Sequence, residues 1–157
     1  MHRTALLAVL TVALAACGAD EQPSHGFAGN RILVRIQTDG GVVELTDLEV
    51  ARTPEARARG LMGRTTLADG GGMVFLFDSP SAGAFWMKDT LIALSIAFWD
   101  ENGRIIDILD MRPCRADPCP LYGASGPYVG AIEMNRGAFD TLGVEVGDTI
   151  EYRLLGE

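Results

Sequence analysis

Lysine is almost missing from this 157-residue chain: twelve of its thirteen basic side chains are arginine, and Lys88 stands alone. Basic runs are missing altogether, and 21 carboxylates give a formal net charge of −8. Phosphate binding needs clustered Lys or Arg, so nucleic acid is excluded as a partner class. Histidine is confined to His2 and His25, ahead of the first strand-like segment. The remainder therefore lacks the usual general base and the commonest metal ligand. A Ser-His-Asp triad is excluded for Ser79, Ser81, Ser95 and Ser125. A Ser-Lys pair using Lys88 stays open, but no signature supports it. No carboxylate pair can be singled out for acid/base work in so acidic a chain. The sequence thus leads to no catalytic residue, no metal site and no cofactor, and more readily to a non-enzyme than to an enzyme.

Long apolar runs are missing too. The longest, Ala5 to Ala16, is twelve residues and spans about 18 Å as a helix, against a hydrocarbon core of ~30 Å. Behind Met1-His2-Arg3 it reads as a secretory signal peptide over residues 1–16. It ends Leu14-Ala15-Ala16-Cys17-Gly18, which resembles the lipobox of bacterial lipoproteins. The resemblance implies lipidation of Cys17 and an extracytoplasmic protein attached to a bacterial membrane through that lipid. An ordinary signal that happens to hold a cysteine is the bland alternative. Removing residues 1–16 takes away Arg3 and no acid, so the mature chain is one unit more negative still. Anionic headgroups repel such a surface, which leaves attachment to the lipid. Residues 17–30 are rich in turn formers and read as a tether reaching about 20 Å, with His25 exposed and idle inside it.

What is present from residue 31 to 157 is a β-rich pattern, and 48% apolar residues suffice for a core. Ile32, Val34 and Ile36 alternate, and Val42 to Val50 alternates with a phase change that predicts a bulge or break near Thr46-Asp47. Thr53-Pro54-Glu55 predicts a short helix near 53–62, with Thr53 as its N-cap. Gly70-Gly71-Gly72 reads as a turn, not a phosphate loop, because no Lys-Ser/Thr follows. Further strands are expected at Met73–Phe77, Phe85–Lys88, Ser95–Trp99, Arg104–Met111, Tyr128–Met134 and Thr149–Leu155, with a possible helical turn at Ala138–Leu142. Asn102-Gly103 marks a hairpin. The expected fold is mainly β: a compact barrel-like or sandwich domain of about seven or eight strands.

Cys114 and Cys119 remain as an even pair once Cys17 carries lipid. Four intervening residues, one of them proline, argue against a redox motif, and zinc would need more ligands. A structural disulfide is expected, worth about 2 kcal/mol for so small a loop.

Ala84-Phe85-Trp86-Met87-Lys88-Asp89-Thr90 is the most informative segment. As a strand it places Phe85 and Met87 on one face, Trp86 and Lys88 on the other. An aromatic plate beside a cation suits ligand binding, although spacing alone favours Trp86 covering a core edge while Lys88 snorkels or pairs with Asp89. Here the chain resembles the domain-of-unknown-function family DUF192. The resemblance covers roughly Glu49 to Tyr152 and rests on Arg59-Gly60-Leu61-Met62-Gly63-Arg64, Gly72-Met73-Val74-Phe75, Phe85 to Thr90, Ile96 to Asp100, the Cys114–Cys119 loop and Ile132 to Gly137. It implies a small, barrel-like, often exported β domain and no particular activity. Asp89 stands where the family has asparagine, and Ala93-Leu94-Ser95 where it has Pro-Leu-Asp.

Arg64, Lys88, Asp89, Glu133 and Asn135 are the polar members of these blocks. With Trp86 they are the candidate ligand-binding residues, either converging on one cleft or forming an ion network that holds the fold together. Three functions are open. The foremost is a membrane-anchored envelope module binding a ligand or protein partner. A metal-independent hydrolase or lyase using Lys88 with Glu133 or Asp89 is the second, and a structural or assembly module the third.

Overall fold

A computed structural model describes residues 31–155. The leader, Cys17 and the tether with His25 lie outside the described residues. Nine strands and two short helices follow one another: β1 (Arg31–Thr38), β2 (Gly41–Ala51), α1 (Pro54–Arg59), β3 (Gly72–Ser81), β4 (Ala84–Trp86), β5 (Leu94–Trp99), β6 (Ile105–Met111), β7 (Leu121–Gly123), β8 (Tyr128–Asn135), α2 (Ala138–Leu142) and β9 (Thr149–Leu155). Seven strands form one sheet in the order β6-β5-β8-β3-β2-β1-β9, and β4 pairs with β7 in a small second sheet. Only the β2–β3 pairing is parallel within this set, with α1 in the crossover between them.

The outer strands β6 and β9 are drawn together at one end. Ile105 donates to the Asp148 carbonyl at 2.8 Å and Ile150 to the Gly103 carbonyl at 2.7 Å. The sheet therefore curls into a barrel-like form, as the sequence pattern implies. Inside the curl lie Ile32, Val34, Ile36, Val74, Trp99, Ile132 and Ile150. A second apolar layer, with Met73, Phe75, Ile96, Phe98 and Ala131, lies on the opposite face of β3, β5 and β8. These three strands are covered on both sides, which explains why they read as continuous apolar runs instead of alternating.

The phase change in β2 is a bulge: Ile32 faces Leu48 while Val34 faces Leu45, so Thr46 and Asp47 are squeezed out to solvent. Thr53 caps α1 by accepting from the Ala56 N–H at 3.2 Å, with Pro54 opening the helix. Cys114 and Cys119 are joined by the expected disulfide.

Three expectations need correction. The strand at Phe85–Lys88 is displaced to Ala84–Trp86, because Met87 and Lys88 turn away to meet Cys114. Strand β7, which pairs with β4, lies in a loop of glycine, serine and proline whose apolar content is too low to signal it. The strand count is nine, with the turn at Ala138–Leu142 counted as a second helix among the described residues.

Gly130 sits opposite Trp99 in the β5–β8 register, and a Cβ there would stand 2.0 Å from the indole. The bare backbone is what lets the fully buried ring lie flat across β8. Replacing Gly130 with alanine is expected to cost 1 to 3 kcal/mol, roughly the usual penalty for overpacking a tight core. Urea denaturation of G130A, with an unchanged midpoint, would contradict this packing.

Candidate functional site

The outer apolar layer is covered by short pieces: α1 with the turn after it, β4 and β7. Between α1 and β4 that cover leaves a cleft of about 260 Å³, walled by Leu61, Phe75, Phe85 and Trp86 with Glu133 among its lining. Phe75 and Phe85 meet edge to face, their centroids 5.0 Å apart, and Phe98 stacks behind them against Tyr128 at 4.9 Å. Edge-to-face clusters of this kind hold ring positions as well as burying area. Trp86 is 47% exposed, unusual for so large an apolar group, and stands at the rim.

Glu133 follows from strand alternation. In β8 it faces the same way as Ala131, between Met73 of β3 and Ile96 of β5, at a position that would ordinarily be apolar. Only 4% of it is exposed, yet no hydrogen bond or ion pair to its carboxyl forms among the described residues. Burial pushes its pKa up from 4.5 to about 8, so it carries a proton at neutral pH. Tyr128, whose hydroxyl donates to the Gly83 carbonyl at 2.9 Å, is also pushed up by burial. Arg57 reaches in from α1, donates to the carbonyls of Arg52 (2.5 Å) and Leu76 (2.9 Å), and lies 4.7 Å above the Phe77 ring.

Lys88 stands beside Trp86, its ammonium 5.7 Å from the ring centroid, although it lies beyond the end of β4 rather than on a strand face shared with Trp86. Its partner is a correction: neither Asp89 nor Glu133 but Asp117 of the disulfide loop, at 2.5 Å. The hydrogen bond from Lys88 to Asp117 holds the lysine above the usual lysine range. Asp89 occupies the left-handed region at φ 55°, and its carbonyl accepts from Gly63 at 2.9 Å. Asparagine and aspartate are among the side chains that best tolerate this conformation, which accounts for either residue there.

Residues 34–152 match the profile of the DUF192 family, described as an uncharacterized ACR. The chain belongs to this family. A crystal structure from Novosphingobium aromaticivorans DSM 12444, of a protein of unknown function, is 33% identical with a TM-score of 0.72. The match covers 83% of this chain and 89% of that one. A second, from Sinorhizobium meliloti 1021 and provisionally described as a transcription regulator, is 31% identical with a TM-score of 0.69. It covers 78% of this chain and 93% of the other. No curated protein matches the chain.

The six candidate residues of this DUF192 chain do not converge. Trp86 and Glu133 line the cleft together. Arg64 forms a two-pronged ion pair with Glu49, at 2.5 and 2.7 Å, in a separate depression beside the β2 bulge. That depression is larger, about 460 Å³, but its arginine is already paired. Asn135 donates to the carbonyls of Leu67 (3.0 Å) and Ala68 (3.3 Å), tying the loop before β3 to β8. Arg64, Asp89 and Asn135 thus hold backbone and loops. Sequence reasoning missed Arg57, Thr90 and Tyr128 as cleft residues, and only the alternation of Phe85 with Trp86 signalled a wall at all. Among the described residues no group of three or more His, Cys, Asp or Glu could hold a metal ion.

A buried carboxyl that keeps its proton destabilises the fold as pH rises. The unfolded chain releases that proton above about 4.5 and the native state only near 8, so stability from this group is full below 4.5 and declines up to 8. Wild-type stability is expected to fall against Glu133→Gln by about 1.4 kcal/mol per pH unit between pH 5 and 7.5. Urea titrations of both proteins across that range check the slope, and parallel curves would contradict a neutral Glu133.

Proposed function

We propose that this DUF192 chain is a binding module of the bacterial envelope, held outside the cytoplasm by lipid on Cys17, that takes a small ligand into the cleft over Glu133. One observation carries the reading: a buried carboxyl with no partner among the described residues, in the lining of an open, aromatic-walled cleft. Concave apolar walls with a few convergent polar groups are the usual form of a small-molecule site. The lipobox-like Ala15-Ala16-Cys17 and the Cys114–Cys119 disulfide support an oxidising, extracytoplasmic setting.

The enzyme reading is less well supported. Carboxylate-lysine catalysis needs a lysine that gives up its proton readily, in a concave site. Lys88 holds its proton more tightly than usual and is engaged by Asp117 on the surface. The regulator description of the Sinorhizobium relative carries no nucleic-acid role to this chain, whose net charge of −8 opposes contact with phosphates.

Two measurements test the proposal. The mass of protein extracted from membranes is expected to show cleavage before Cys17 plus an acyl-bearing cysteine, and Cys17→Ala to release the protein. Signal removal without acylation would overturn the anchoring. A fragment titration of the C17A chain, followed by amide NMR shifts, is expected to cluster on Leu61, Phe85, Trp86 and Glu133. Trp86→Ala should weaken the hits at least threefold, and hits that ignore W86A or map elsewhere would move the site.

A further inference from the structure

Among the described residues Glu133 is the one buried carboxylate. Every fully enclosed side-chain oxygen has a hydrogen-bond partner and the Glu133 carboxyl has none, so its oxygens reach the open space of the cleft. Charges on the surrounding elements are directed elsewhere. On α1, Arg57 is engaged by two carbonyls and the Phe77 ring. Arg64 is bound to Glu49, and Lys88 to Asp117. Tyr128 on β8 donates to Gly83, Asp78 on β3 and Asp89 after β4 are solvent-exposed, and β5 carries no ionisable side chain. Among the described residues, therefore, no basic side chain forms an ion pair with this carboxyl, although Arg57 and Arg59 share the cleft lining with it.

We propose that the cleft over Glu133 is a site for a small organic ammonium ion, a protonated amine on an apolar body. This rests on the binding-module reading above and names its ligand class. The walls suit that charge on an apolar body, because Phe75, Phe85 and the half-exposed Trp86 are aromatic and aromatic rings attract cations. Thr90 and Ser81 are also part of the lining, the Ser81 hydroxyl being engaged by Tyr128 and the Gly83 N–H. Arg57 and Arg59 also line the cleft and would favour an anion, but Arg57 is engaged by two carbonyls and the Phe77 ring and Arg59 is exposed and water-screened, whereas the Glu133 carboxyl is buried. The buried group decides the sign. A volume of about 260 Å³ lies below the roughly 300–1,000 Å³ of drug-sized pockets, so the occupant is small.

Binding of an ammonium ion releases the Glu133 proton to solvent and leaves a carboxylate–ammonium pair in the cleft. Because the empty site holds that proton up to about pH 8, affinity for the cation rises tenfold per unit between pH 6 and 7 and levels off above 8. A neutral ligand accepting a hydrogen bond from the protonated carboxyl would show the reverse, weakening above pH 8.

Calorimetric titration of the C17A chain with benzylamine, benzyl alcohol and benzoate, which share one ring and differ in charge, tests the proposal. Benzylamine is expected to bind at least tenfold more tightly than benzyl alcohol at pH 8, releasing about one proton per ligand at pH 7. Glu133→Gln should remove both the preference and the proton release. Trp86→Ala, at the exposed rim where the core is untouched, should weaken benzylamine at least threefold. Benzyl alcohol or benzoate binding in the cleft as tightly as benzylamine would overturn the ammonium class and leave the binding reading intact. No binding of any probe at 20 mM would also overturn it, and the fragment titration would then judge the binding reading separately.

Discussion

The structure depends on one constraint: β3, β5 and β8 must be covered on both faces. The inner face is met by the curl of the sheet itself, closed at one end by the pairing of Gly103–Ile105 with Gly147–Ile150. Among the described residues the outer face has no second sheet of comparable size. Its cover is assembled from a six-residue helix, two three-residue strands and the loops between them. Pieces so short cannot tile a flat apolar surface completely, and the cleft lies where α1 and β4 fail to meet. A cleft in such a fold arises from incomplete cover over the sheet.

The cover is held by straps, and most of the polar residues in the family's blocks belong to them. Asp89 ties its segment to the turn after α1 through Gly63 and to the disulfide loop through Cys114. Lys88 adds an exposed ion pair to Asp117, whose net contribution is small because water screens both partners. Arg64–Glu49 and Asn135 fasten the loop before β3. The lone lysine is thus a fastener next to the site, positioned by the same backbone that turns Trp86 outward.

Most of the sheet was legible because its strands obey alternation or run apolar throughout, and its turns use the residues that turn geometry requires. The β2 bulge was visible as a phase change, and α1 as Thr53-Pro54. The disulfide was visible as an even pair at a spacing that suits neither zinc nor a redox motif. Strand β7 was not, because three residues bounded by glycine and proline leave no period to detect. The site was half legible. Trp86 and Glu133 were singled out, but spacing cannot show which polar residues share a cavity. Arg64 and Asn135 lie close in sequence to cleft residues but are spent on Glu49 of β2 and on the loop before β3. Arg57 was not singled out, since its reach to the Leu76 carbonyl across 19 residues has no local signature.

Glu133 is where local and global demands conflict, and the size of the conflict is informative. Every neighbour in its register, Met73 on one side and Ile96 on the other, calls for an apolar side chain. With a pKa of about 8 against 4.5 unfolded, retaining the carboxyl costs on the order of 3 kcal/mol at pH 7. Domains of this size are stable by only about 5–15 kcal/mol, so the cost is a sizeable fraction of the total. A glutamine or methionine there would avoid it without disturbing the sheet. Arg64–Glu49 and Lys88–Asp117 are each a pair that helps fasten a loop, whereas the Glu133 carboxyl fastens nothing. Sequences that fold well keep such violations where function needs them. A carboxyl that helps no strand, turn or loop, and that opens onto a cleft, is explained by what enters the cleft.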